Sequence, residues 1–256
     1  MPRAQEVSTA VKMILMARSA GLCNFEGCHM SLIVKTAADG TIHLSEAAHI
    51  WPLADNGPRG GNGAKLSIAK KNAPENLLLL CPTHHTQVDK APKSFPDDML
   101  RAMKEALEQK IATVTRLATA DVTFAELDAV CVRFLTDPEF PSASGNLTRT
   151  EIDAKRRKND LSEHTRLALL NGISIASRVR EYVSEEASNE PAFPSRLVAG
   201  FRKHYYALLQ DGVTGDALFE QLSVIASGGV MASSSRRAAG QAVLSYLFEL
   251  CEVFEQ

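Results

Sequence analysis

Between positions 5 and 20 the apolar residues Val7, Val11, Ile14 and Leu15 recur at helical spacing, with Lys12 and Arg18 elsewhere on the wheel and Gly21 as a stop. That pattern predicts an amphipathic helix. Ser31 to Lys35 then reads as a short strand, Asp39-Gly40 as a hairpin turn, and Thr41 to His49 as the returning strand. A long stretch from Pro52 to Glu75 carries neither period. It contains the glycines around Arg59 and the basic residues Lys65, Lys70 and Lys71, and a long loop inside a compact domain is usually functional or disordered. Leu77 to Leu80 is an unbroken apolar run, a buried strand, and Cys81-Pro82 opens a helix with proline where its missing N–H costs nothing. A second helix starts at Phe95-Pro96-Asp97-Asp98, with acids in its first turn and Leu100, Met103, Leu107, Ile111, Val114 and Leu117 on one face.

From there the helical period dominates. Residues 125 to 135 read as a helix, and Thr136 to Asn146, rich in Pro, Ser and Gly, as a linker. Ser162 caps a helix to about Val183; Pro194-Ser195 opens another; Thr214 caps a short one; Ala238 to Phe254 closes the chain. Breaks fall at Glu190-Pro191, Asp211-Gly212 and Gly228-Gly229, and the absence of a sustained heptad points to a small helical bundle. The pattern divides the chain into a front domain over 1–118, a linker with a short helix over 119–146, and a helical domain over 147–256.

Composition adds limits. Apolar residues make up 45% of the 256, the proportion of a core-forming globular protein. No run of eighteen apolar residues occurs and the N-terminus lacks a secretory layout, so a soluble, cytoplasmic protein without a membrane partner is expected. The net charge of −2 conceals an asymmetry: residues 1–120 hold 14 Lys+Arg against 11 Asp+Glu, and the remainder 14 against 19. The front is the half suited to a polyanion, although +3 is a weak footprint. Five cysteines at 23, 28, 81, 131 and 251 are too sparse for a disulfide scaffold. Cys131 and Cys251, set among apolar neighbours, read as small buried hydrophobes.

The remaining cysteines carry chemistry. Tetrahedral zinc takes four soft or borderline ligands, commonly offered as two short-spaced pairs; Cys23 with Cys28 is one pair and Cys81 with His84, around the first helical turn, is the other. Together they predict a structural zinc site, the alternative being unrelated buried residues. His85 lies about 100° round the helix from His84 and so faces elsewhere, with Asp89 one turn on to orient its ring. His49, closing a strand at the mouth of the glycine-rich loop, suits a general base within reach of a substrate. Glu46 and Ala48 point to the opposite face of that strand. Asn76 stands where its amide can brace the loop holding His49, or is a simple turn-forming asparagine. Arg59, Lys65, Lys70 and Lys71 are natural phosphate contacts, or else an ordinary solvated loop. Trp51 reads as core or as a base-stacking ring.

His49, Asn76 and His85, within Ala48-His49-Ile50-Trp51-Pro52, Glu75-Asn76-Leu77-Leu78-Leu79-Leu80-Cys81 and Cys81-Pro82-Thr83-His84-His85, resemble the signature positions of HNH endonucleases, over about residues 10–112. The resemblance implies a zinc-knuckle ββα-metal domain, and with the all-α helical bundle that the pattern predicts behind it the chain reads as an α+β protein. It implies hydrolysis of a nucleic-acid phosphodiester, DNA before RNA, with His49 activating water and His85 holding Mg²⁺ or Mn²⁺ against the scissile phosphate. Many members place an acid or second His before the base. Here Ala48 stands there, leaving Glu46, the weaker candidate Asp55, or waters to complete the metal site. A zinc-stabilised nucleic-acid-binding module with a decayed catalytic metal site is the alternative.

Nothing after Leu117 clusters catalytic residues. His164 and His204 are isolated, and Ala154-Lys155-Arg156-Arg157-Lys158 reads as a solvated basic turn. The pattern from Leu147, through Lys158-Asn159-Asp160-Leu161-Ser162 to Ser245-Tyr246-Leu247-Phe248-Glu249-Leu250-Cys251-Glu252, resembles the C-terminal domain of ABC-three-component defence systems. That resemblance implies a nuclease effector of antiphage or anti-plasmid defence, docking on an ABC-type ATPase and a small middle component. A homodimerisation domain is the competing reading.

Overall fold

A computed structural model describes residues 7–28, 30–54, 56–61, 65–135, 152–250 and 253–254. Asp55, the linker expected at 136–146, and Cys251 lie outside the described residues. The chain divides into two compact units, Met1–Ala112 and Thr113–Gln256.

In the front unit, α1 (Thr9–Ser19) starts at Ser8, whose hydroxyl accepts from the Val11 amide, and stops at Ala20, which takes the left-handed conformation. Ile14, Leu15, Met16, Ala17 and Ser19 are its buried residues. A knuckle follows: a bridge between Leu22 and Ser31 closes it, the Cys28 amide donates to the Phe25 carbonyl, and Gly27 turns the chain at φ +74°. The hairpin β1 (Ile33–Thr36) and β2 (Gly40–His43) pairs antiparallel, Thr36 opposite Gly40.

The expected continuous returning strand, 41–49, is in fact two. After Leu44 and Ser45 the chain begins β3 (Glu46–His49), which leaves the hairpin and pairs antiparallel with β4 (Leu77–Leu80), Glu46 opposite Leu80 and His49 opposite Leu77. The four leucines of β4 are all buried. A strand apolar on both faces needs a neighbour for its backbone as well as cover for its side chains. β3 satisfies one edge; on the other, the Asn24 amide donates to the Leu79 carbonyl while the Asn24 side-chain oxygen accepts from the Leu79 amide, both at 2.8 Å.

Between β3 and β4 the long loop contains a single turn, α2 (Ile68–Lys71), capped by Ser67, and a 3₁₀ turn at Pro74–Asn76. α3 (Pro82–Lys90) follows β4 directly, with Cys81 at its N-cap and proline at its first position. α4 (Asp97–Thr119) is a continuous helix within which the division between the units falls.

The rear unit comprises, among the described residues, α5 (Phe124–Leu135), α6 (Ile152–Lys158), α7 (Glu163–Ile173), α8 (Ala176–Asn189), α9 (Phe193–Gln210), α10 (Gly215–Ser227) and α11 (Ser234–Glu249). α11 is the central helix, packed against α5, α7, α8 and α10. It reaches them closely because its first turns are small: a Cβ on Gly240 would meet the Ser227 amide nitrogen at 2.8 Å. One apolar core runs through the unit, including Phe134, Phe201, Phe219, Leu244 and Phe248. Cys131 is part of it, as expected, with burial pushing its thiol pKa upward.

Two expectations here are corrected. The helix expected from Ser162 to Val183 is α7 and α8, parted at Ser174–Ile175 just beyond Gly172, where α11 brings Ser245 against the missing side chain. The basic run at 154–158 is no solvated turn. It is α6, and Lys155 is buried, its ammonium donating to the carbonyls of Phe248 and Val253 at 2.9 and 2.7 Å over the Phe248 ring. No helix among the described residues is long and apolar enough to cross a membrane.

Candidate metal centre and active site

The knuckle and the β4–α3 junction bring four ligand atoms together. The Sγ atoms of Cys23, Cys28 and Cys81 and a ring nitrogen of His84 lie within 4.8 Å of one another. His84 Nδ1 is 3.2 Å from Cys81 Sγ and 3.6 Å from Cys23 Sγ. Bonds of about 2.3 Å to sulfur and 2.0 Å to nitrogen, arranged tetrahedrally, separate the ligands by roughly 3.5–3.8 Å. The cluster therefore fits a zinc site. Burial is the main influence that pushes the Cys23 thiol up to about 12, so a thiolate there needs a cation beside it. Phe25, inside the knuckle, stacks on the His84 ring at 3.9 Å and 2° and touches Phe95, which fixes the imidazole plane. No sequence signal marks Phe25 for this role.

His85, next along α3, points away from this cluster. Its Nδ1 is 3.1 Å from Glu46 Oε2 and 3.8 Å from Asp89 Oδ2. Glu46 is the first residue of β3 and exposed, whereas Ala48, two residues on, is fully buried. Glu46, one of the residues expected to stand in for the acid absent at position 48, is therefore at hydrogen-bonding distance from the histidine expected to bind metal.

His49 ends β3. Its Nε2 lies 2.8 Å from Asn72 Oδ1, a partner 23 positions away at the end of α2 that no sequence signal marked. Asn76 is buried and grips the chain just beyond His49 from both sides: its Oδ1 accepts from the Trp51 amide at 2.9 Å, and its Nδ2 donates to the carbonyls of Trp51 and Lys71 at 2.8 Å. Trp51 is half-buried. Its indole N–H donates to Asp97 at 2.9 Å, which is the main cause holding that carboxyl below its usual 3.8, and the Arg101 guanidinium covers the ring at 4.4 Å. One face of the tryptophan is thereby taken, which disfavours the base-stacking alternative.

The four cations expected on phosphate divide two and two. Lys65 and Lys70 are exposed. Lys71 is buried and donates to the Leu53 carbonyl at 2.9 Å. Arg59 is turned inward, its side chain only 4% exposed, and donates to the carbonyls of His49, Ile50 and Val88 at 3.0–3.1 Å, with Asp89 at 3.5 Å. These two side chains do not stand as phosphate contacts. Their task is internal: a guanidinium can satisfy several carbonyls at once, so Arg59 ties the end of the His49 strand to the helix that carries His85.

Residues 23–94 match the HNH endonuclease family model. The matched segment runs from the first zinc-site cysteine, through β3, the loop and β4, to just past α3, and so contains both the cluster and the residues around His49 and His85. A ββα-like HNH region with short strands, followed by a helical region, is the architecture, and the match supports a nuclease. No curated protein matches the chain.

Proposed function

We propose that the protein is a metal-dependent endonuclease that hydrolyses DNA phosphodiester bonds. The observation that carries this reading is the Glu46 carboxylate 3.1 Å from His85 Nδ1, inside the segment matched by the HNH family model. Glu46 and His85 would hold a Mg²⁺ or Mn²⁺ ion. Such an ion supplies Lewis-acid polarisation of the phosphate and charge neutralisation of the leaving 3′ oxygen. His49 takes a proton from the attacking water, Asn76 holds the backbone next to it, and Lys65 and Lys70 offer exposed charge to the phosphates. Cys23, Cys28, Cys81 and His84 hold zinc as a framework that takes no part in the reaction.

The helical region is proposed as the interaction module of a multi-component defence system, with an ABC-type ATPase and a small middle component as partners. Its support is the resemblance of residues 147–256; homodimerisation is the competing outcome. Co-purification of the full chain with a co-expressed ATPase, lost when the chain is cut before Leu147, is the expected result. A change only in the monomer–dimer equilibrium would sink it.

The nuclease reading is tested on plasmid DNA with Mg²⁺ or Mn²⁺, alongside single-stranded RNA. His49→Ala is expected to lower cleavage by about 100-fold or more with zinc content unchanged, and Glu46→Gln to raise the metal concentration required. Wild-type cleavage by His49→Ala would remove the assignment of the base. Binding of DNA with no cleavage under any of these conditions would favour the zinc-stabilised binding module with a decayed metal site.

A further inference from the structure

We propose that Asn72 is a positioning residue for His49: its side-chain carbonyl holds the ring in the Nε2–H tautomer and leaves Nδ1 as the nitrogen that accepts the water proton. The proposal rests on the reading of His49 as general base. Neutral imidazole has one N–H and one lone pair, and whichever nitrogen donates to a fixed acceptor determines which one is free to act as a base. Asn72 Oδ1 lies 2.8 Å from Nε2, and among the described residues the ring makes no other hydrogen bond.

Asn72 is itself firmly held. It is the C-cap of α2, its amide donating to the Ile68 carbonyl at 2.9 Å. The preceding residue is tied twice, through the Lys71 ammonium on the Leu53 carbonyl and through the Lys71 carbonyl receiving Asn76 Nδ2. Asn76 therefore acts on both sides of His49. It fixes the backbone at Trp51, just beyond His49, and it fixes the turn from which Asn72 reaches the ring. The long loop, whose cations first suggest a phosphate grip, supplies through α2 the residue that orients the base.

The tautomer is read directly from the ¹⁵N shifts of the imidazole nitrogens in full-length protein labelled at histidine, at a pH where the ring is neutral, with the His49 signals assigned by their loss in His49→Ala. The expected result is the Nε2–H form. An Nδ1–H form would overturn the proposal, because the free nitrogen would then face Asn72. Asn72→Ala is expected to mix the tautomers and lower kcat about 10- to 100-fold, the usual loss when the partner orienting a working histidine is removed, with KM little changed. Asn72→Asp keeps the acceptor and is expected to restore the tautomer and most of kcat. Unchanged kcat in Asn72→Ala, or a rise in KM alone, would overturn the positioning role. Should Asn72→Ala fail to fold, the wild-type tautomer and Asn72→Asp still decide. A wild-type protein that cleaves no nucleic acid would defeat the nuclease reading while the tautomer measurement stands on its own.

Discussion

The two units are held together by different means. In the rear one, a continuous apolar core surrounds α11, and aromatic side chains such as Phe134, Phe201 and Phe248 fill it. In the front one, every strand is four residues long, and a loop of more than twenty residues separates β3 from β4. Its order comes from single points: the Cys/His cluster, Asn24 on β4, Asn76 on Trp51, and Arg59 between β3 and α3. A small unit commonly depends on a metal or other staples in addition to its core. The difference teaches that the rear unit tolerates surface change and fails by loss of core volume, while the front unit fails by loss of one ligand or one clasp.

The largest effect is expected from removing the zinc that the Cys/His cluster would hold. Trp51, the only tryptophan, lies in the front unit and reports on it. Chelation, or Cys81→Ser, is expected to abolish its folded fluorescence while most far-UV helical signal persists, because zinc binding worth about 10–16 kcal/mol matches or exceeds the roughly 5–15 kcal/mol of a whole domain. About one zinc per chain should be lost with it. An unaltered Trp51 transition after chelation would break the contrast.

Phe248→Ala probes the other side. Deleting a fully buried aromatic from the core costs about 3–5 kcal/mol, and the helical transition is expected to move down while the Trp51 transition stays. A common shift of both would mean that the units melt as one.

Arg59→Ala is a smaller test within the front unit. It strips buried carbonyls of a donor, at about 1–3 kcal/mol, visible as a lower Trp51 melting temperature. Arg59 sits at φ 60°, a left-handed conformation that costs a side-chain-bearing residue about 1–2 kcal/mol. Arg59→Gly should accordingly be milder than Arg59→Ala by about 1 kcal/mol. Equal melting temperatures for the two variants would show that the backbone relaxes when the clasp is cut.

The smallest effect concerns pH. The Trp51 indole N–H holds the Asp97 carboxyl below its usual 3.8. A carboxylate favoured in the folded state contributes stability above its ordinary value and loses that contribution as pH falls through the lowered one. Trp51 emission is therefore expected to change only below about pH 3.8, by an increment absent in Asp97→Asn, and a change centred well above that pH would point to another group.

What could be read from the chain alone was local. Cys23 with Cys28 and Cys81 with His84 are pairs a few residues apart, and a knuckle or one helical turn suffices to aim each pair at one point. The four leucines of β4, the proline opening α3 and the long helical periods behind them were legible for the same reason, because each is set by its immediate neighbours. The tertiary structure alone decided where distant partners meet. It turned half of an expected strand from β2 toward β4, folded Arg59 and Lys71 inward where carbonyls needed donors, and brought Asn72 to His49 and Glu46 to His85. No period or spacing encodes such meetings. They follow from which arrangement covers β4 and satisfies the backbone around it, and that choice is made only when the whole front unit closes.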